Sequence, residues 1–142
     1  MLNKAWRSLR TRLGGGPRRP LRLMVHRAPM YPSFWEPLVL PDGQPGLLVQ
    51  IHIEASNNTD HSYRIAGAEL LGLTVRQTTI GVRDPKTRSF AADNPVPARH
   101  IATVSLQFRI DAEPAPPEAP FRATLVLTDH VGATHSTQVI LH

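Results

Sequence analysis

The most regular hydrophobic pattern lies at residues 47–55. Leu47, Val49, Ile51, Ile53 and Ala55 alternate there with Leu48, Gln50, His52 and Glu54. A period of two puts the first set on one face of a strand and the second on the other, so one face is buried. Residues 101–110 repeat the pattern, with Val104, Leu106, Phe108 and Ile110 inward and Ser105, Gln107 and Arg109 outward. Weaker alternation marks strands at 21–26, 121–128 and 135–141. Residues 63–68 and 71–76, interrupted by Gly67 and Gly72, read as one or two more, and 79–82 as a short one.

Turn chemistry separates these runs. Pro41-Asp42-Gly43, the polar stretch Ser56–Asp60, Asp84-Pro85-Lys86 and the segment 129–134 each carry residues that favour turns. Five prolines between residues 29 and 45 punctuate an irregular stretch in which Tyr31, Phe34 and Trp35 cover one end of the core. Residues 91–99, with Pro95 and Pro97, read as a corner, and 111–120 as a long acidic, proline-rich loop. About seven short strands, with turn signals every ~8–12 residues, predict an all-β antiparallel sandwich. The stretches LVQIHIEASNNTDHSYRI, PARHIATVSLQFRI and FRATLVLTDHVGATHSTQVIL resemble the B–C, E and F–G segments of immunoglobulin-like domains. The resemblance spans about residues 45–142. It implies an immunoglobulin-like β-sandwich and no particular family function.

The first 13 residues follow a different period. At ~100° per residue, Leu2, Trp6, Leu9 and Leu13 fall within an arc of about 60°. Asn3, Lys4, Arg7, Ser8 and Thr11 lie on the other side, and Arg10 and Arg12 flank the apolar stripe. This predicts a short amphipathic helix, ended by Gly14-Gly15-Gly16-Pro17. The expected organisation is an arm and linker over 1–20 and a sandwich domain over 21–142.

Charge sharpens that division. Residues 1–22 hold seven of the 16 basic side chains and no acid; the first acid is Glu36. The rest of the chain carries nine bases against 11 acids. A basic, acid-free arm on a nearly neutral body implies an anionic partner for the arm. An interfacial helix fits best, with Leu2, Trp6, Leu9 and Leu13 inserted and Lys4, Arg7, Arg10, Arg12, Arg18 and Arg19 over an anionic membrane surface. Docking of the same stripe into a partner protein is the alternative, and a solvated tail or a targeting segment are lesser ones. Nucleic acid is disfavoured, because the body shows neither a basic patch nor aromatics set out for stacking.

Composition bounds the rest. The chain has 142 residues and no cysteine, which excludes disulfides and thiolate chemistry. No run reaches the ~18–20 apolar residues of a membrane span, and no secretory h-region follows the basic start. These features fit a cytoplasmic protein, peripheral at the inner face of the membrane. Lysine is almost absent, two against 14 arginines, which suggests a GC-rich bacterial coding sequence.

Candidate chemistry is thin. The motifs G-x-S-x-G, H-E-x-x-H and G-x-x-x-x-G-K-[ST] are missing. No catalytic residue, cofactor or metal ligand is assigned. The histidines (His26, His52, His61, His100, His130, His135 and His142) read as solvated surface groups, although His130 and His135 bracket one turn and could approach each other. An enzyme would need a cleft that groups two or more of His52, His61, Asp129, His130 and His135. Asn57-Asn58-Thr59 fits a glycosylation sequon but reads as a polar turn, and the P-x-x-P spacings at 114–120 read as loop. The sequence therefore predicts a non-catalytic accessory or adaptor domain that binds another protein through a sheet edge or end loops. It carries no signal for oligomeric state.

Overall fold

A computed structural model describes residues 20–112 and 120–141. Nine strands make up the described part: β1 (Leu21–Val25), β2 (Phe34–Val39), β3 (Pro45–Asn57), β4 (Tyr63–Leu70), β5 (Val75–Arg83), β6 (Pro95–Val96), β7 (Ile101–Asp111), β8 (Phe121–Asp129) and β9 (Thr134–Leu141). All pairings are antiparallel. One sheet runs β1-β3-β7-β5, with β2 also on β3; the other runs β6-β4-β8-β9. Beta-1 lies beside β9 and β4 beside β5, so the two sheets meet along both sides.

The alternation at 47–55 explains the centre of the first sheet. Val49, Ile51, Ile53 and Ala55 are fully buried. Their register partners on β7 are Phe108, Leu106, Val104 and Ala102, which are buried with them. The second sheet meets this layer with Ile65, Leu70, Leu125, Leu127, Val139 and Leu141, in one continuous core. Each fully buried Leu, Ile or Phe contributes about 1.5–3 kcal/mol of burial.

Several elements differ from the sequence expectation. Residues 34–39, expected to be irregular, form β2, and Pro37 pairs with Leu47. An edge strand tolerates proline because its outward side needs no donor. Trp35 packs on the core from this strand, while Tyr31 precedes it on the outer face. The breaks at Gly67 and Gly72 are unequal. Gly67 sits at a register irregularity inside β4, whereas Gly72, at φ +75°, lies in the turn between β4 and β5. The corner at 91–99 contains the short strand β6, and β3 extends two residues beyond each end of the predicted run.

Beta-1 and β2 share one edge of β3: β1 covers Ile53–Asn57 and β2 covers Pro45–Gln50. The loop 26–33 fills the gap between them, opposite Ile51 and His52. The amphipathic helix, the Gly/Pro linker and most of the 114–120 loop lie outside the described residues.

Candidate functional site

The outward face of the five-stranded sheet is a grid of polar and small side chains. Register aligns Gln50, Gln107 and Thr79 in one rung; His52, Ser105 and Gly81 in the next; Glu54, Thr103 and Arg83 in the third. Neighbouring strands are ~4.8 Å apart and successive rungs about 7 Å apart, so the nine side chains form one patch. Gly81 and Ser105 are small, and the face sinks there. Phe90 folds back over the hollow, held by a bridge to Arg83 and by the Ala91 N–H, which donates to the Val82 carbonyl (2.8 Å). A Cβ on Gly81 would lie 2.6 Å from the Phe90 ring, so only glycine leaves room for it.

Arg83 joins the parts of this surface. Its guanidinium carbon sits 4.2 Å from the Phe90 ring centroid and 5.7 Å from that of Tyr31. Cation–π contacts of this kind contribute about 0.5–1 kcal/mol where exposed. Its Nη1 donates to the Arg88 carbonyl (3.0 Å), and its Nε is buried with no hydrogen-bond partner. Among the described residues it forms no ion pair. The adjacent carboxylate, Asp84, accepts instead from the Lys86 and Thr87 amides at 2.7 and 3.0 Å. Those bonds hold its pKa below the usual carboxylate range.

His52 occupies the middle rung, where neither β1 nor β2 reaches β3. Its amide donates to Ser33 Oγ (2.9 Å) and its Nδ1–H to the Pro32 carbonyl (2.7 Å). A carbonyl only accepts, so Nδ1 carries the proton and Nε2 presents a lone pair. Burial lowers the His52 pKa; the hydrogen bond to Pro32 opposes this, the positive charge of Arg83 adds to it, and the net shift is downward. Tyr31 stands between two imidazoles, 4.7 Å from His26 and 5.5 Å from His52, centroid to centroid. His26 accepts from the Ala28 amide through Nδ1 and reaches Glu54 with Nε2 at 3.5 Å. The expectation of solvated histidines fails for His52, which is 7 % exposed.

Two hollows flank Arg83. One, of about 280 Å³, is lined by His26, Met30, Tyr31, Arg88 and Ile101; the other, of about 310 Å³, by Gln50, His52, Thr79, Ser105 and Gln107. The rim carries exposed apolar side chains: Met30, Phe90 and Ile101 are all more than half exposed.

A second polar group lies in the β8–β9 hairpin. Asp129 Oδ1 accepts from the Val131 and Ala133 amides (both 3.0 Å), and Oδ2 accepts from His135 Nε2 (2.9 Å). Both residues are 1 % exposed, so His135 too departs from the surface expectation. Burial alone would raise the Asp129 pKa. The His135 hydrogen bond and the two turn amides outweigh it and hold the carboxyl below its ordinary value. His135 Nδ1 is buried without a partner. His135 also lines a 550 Å³ cleft beside Pro20, Leu21, Asn58 and Ser136. Among the described residues no nucleophile is hydrogen-bonded to the imidazole, and the pair's hydrogen bonds close the turn. His130 has other partners: its Nδ1 accepts from the Arg64 amide, and its ring lies 5.8 Å from Tyr63.

The remaining candidates separate in space. No group of three or more His, Asp and Glu side chains converges as a metal site among the described residues. Asn57 is 1 % exposed, and its Nδ2 donates to the carbonyls of His61 and Val96. The sequon nitrogen is therefore inaccessible in the folded domain. Leu2, Lys4, Trp6, Arg7, Leu9, Arg10, Arg12, Leu13, Arg18 and Arg19 lie outside the described residues. The grid around Arg83 escaped sequence reading because its members come from three strands and a loop that only the register aligns. The one local signal was a glycine two residues before an arginine in an alternating strand.

No family model matches the chain, and a search of curated proteins finds no match.

Proposed function

We propose that the chain is a non-catalytic adaptor domain of immunoglobulin-like topology, held at an anionic membrane surface by its N-terminal arm. The orders β1-β3-β7-β5 and β4-β8-β9 correspond to the A-B-E-D and C-F-G sheets of such domains, which supports the fold assignment. One observation carries the functional reading: the split of charge between arm and body. Seven cations without an acid precede residue 23. The rest of the chain is nearly balanced, nine bases against 11 acids, with ion pairs such as Arg76 with Asp42 and Asp111 and Arg99 with Asp60. The net positive charge that an acidic leaflet attracts is therefore concentrated in the arm, at up to about 1 kcal/mol per cation. The stripe of Leu2, Trp6, Leu9 and Leu13 adds apolar insertion.

Flotation with liposomes of graded anionic content tests this. The full chain is expected to float with acidic vesicles, less so in high salt, and a chain beginning at residue 20 to stay behind. Failure of the full chain to float discards the tether. A second reading, that of a subunit in a larger assembly, is favoured by the exposed Met30, Phe90 and Ile101 around Arg83. Methionine, aromatic and arginine side chains are enriched at protein interfaces. In that reading the arm docks into a groove of the partner, and its attachment is insensitive to salt.

A further inference from the structure

We propose that the hollow over Ser105, between His52 and Arg83, is a binding site for a small hydroxylated carboxylate of monosaccharide size, such as a sugar acid. The inference stands on the side chains of this face and is independent of the membrane tether.

Two unmet polar groups define the site. Arg83 and Ser105 both line the same 310 Å³ hollow, and just beneath its surface Arg83 Nε and Ser105 Oγ are buried with no hydrogen-bond partner among the described residues. Buried polar groups are nearly always paired, and leaving one unmet costs about 1–3 kcal/mol. An acceptor oxygen that enters the hollow meets these groups as the side chains over them, the Phe90 ring on Arg83 among them, shift aside. Arg83 is also a guanidinium without an ion pair among the described residues, and carboxylate is the anion that suits one fork. A phosphate dianion would call for a second cation, and His52 is the other titratable side chain that lines this hollow. Its Nδ1–H is committed to Pro32, and burial beside Arg83 favours its neutral form.

The other groups ask for hydroxyls. Neutral His52 offers a lone pair at Nε2. Gln107 Nε2 donates to Gln50 Oε1 (3.0 Å), which leaves the Gln107 carbonyl to accept and the Gln50 amide to donate. Thr79 completes that rung. A ligand must therefore bring an anionic acceptor to the Arg83 end and donors to the His52 and Gln107 end. A carboxylate alone meets the first demand and a neutral sugar the second. Phe90 walls one side with an apolar ring. A hollow of this size is at the lower end of those that hold small ligands.

Titration of the full ¹⁵N-labelled chain with D-glucuronate, followed by amide chemical shifts, tests the proposal. Saturable shifts are expected at 79–83, 103–107 and 50–52, with D-glucose binding at least tenfold more weakly. Arg83→Met is expected to weaken glucuronate at least tenfold and Ser105→Ala severalfold, both with dispersed spectra that report an intact fold. Loss of a hydrogen bond to a charged group, about 1.5–3 kcal/mol, sets that scale. No shifts at about 10 mM glucuronate, or shifts unchanged in Arg83→Met, would overturn the site. Equal shifts with inorganic phosphate would overturn the ligand class, because a bare anion site needs no hydroxyls.

Discussion

Asp129 shows how a single side chain can fasten a hairpin. Its two oxygens accept three hydrogen bonds inside a turn closed by Gly132 at φ +90°. Asp129→Ala leaves His135 and two amides without their acceptor, so a loss of about 3–5 kcal/mol is expected in urea unfolding. The pH dependence has a definite sign. The folded-state pKa of Asp129 is depressed, so its contribution is complete above the unfolded value and is lost as pH falls through the folded one. The wild type should therefore show a steeper acid limb than Asp129→Ala. His52 acts at higher pH. Its folded pKa lies below the ordinary 6.5, so the unfolded chain takes up the proton first. Stability is full above 6.5 and declines as pH falls through the window beneath it. His52→Gln should flatten the unfolding profile below pH 6.5; an unchanged slope would show that His52 carries none of it.

At the level of elements, β3 and β7 were legible in the sequence because strict alternation needs only one buried face. Their inward residues are those the pattern named, from Val49 to Ala55 and from Val104 to Ile110. Phe108 is fully buried opposite Val49 and Thr78, and Phe108→Ala should cost about 3–5 kcal/mol in a denaturant melt. A loss below 1 kcal/mol would mean that the core collapses around the gap. Beta-2 was illegible because Pro37 argues against a strand unless the strand is known to be an edge, and edges are a property of the sheet. The division of 63–83 was blurred for a related reason. Gly67 and Gly72 look alike in sequence, yet one sits at an irregularity and the other in a turn. The Arg83 surface was the least visible of all. His26, Tyr31, His52, Arg83 and Phe90 span 65 positions of the chain. Only pairing across β3, β7 and β5, with the 26–33 loop laid over the gap, brings them together.

The whole molecule keeps its two possible tasks apart. Charge available for a membrane is concentrated ahead of β1, whereas the polar hollow and its apolar rim lie on the outer face of the five-stranded sheet. Flotation should therefore be lost with the arm while glucuronate shifts persist in a chain starting at residue 20. Linked loss of both would point to a single combined surface. The division of one β3 edge between β1 and β2 also governs how this protein meets copies of itself. Backbone groups along a long strand can template growth of a sheet from another molecule. Two short strands from separate stretches of chain cap β3 and leave no long open run on that side. On the other sheet, β9 pairs with β8 through eight unbroken rungs, and among the described strands β1 lies beside it without pairing. Sheet growth by addition, whether ordered or fibrillar, is thereby steered away from β3 and towards the terminal strands β5 and β9.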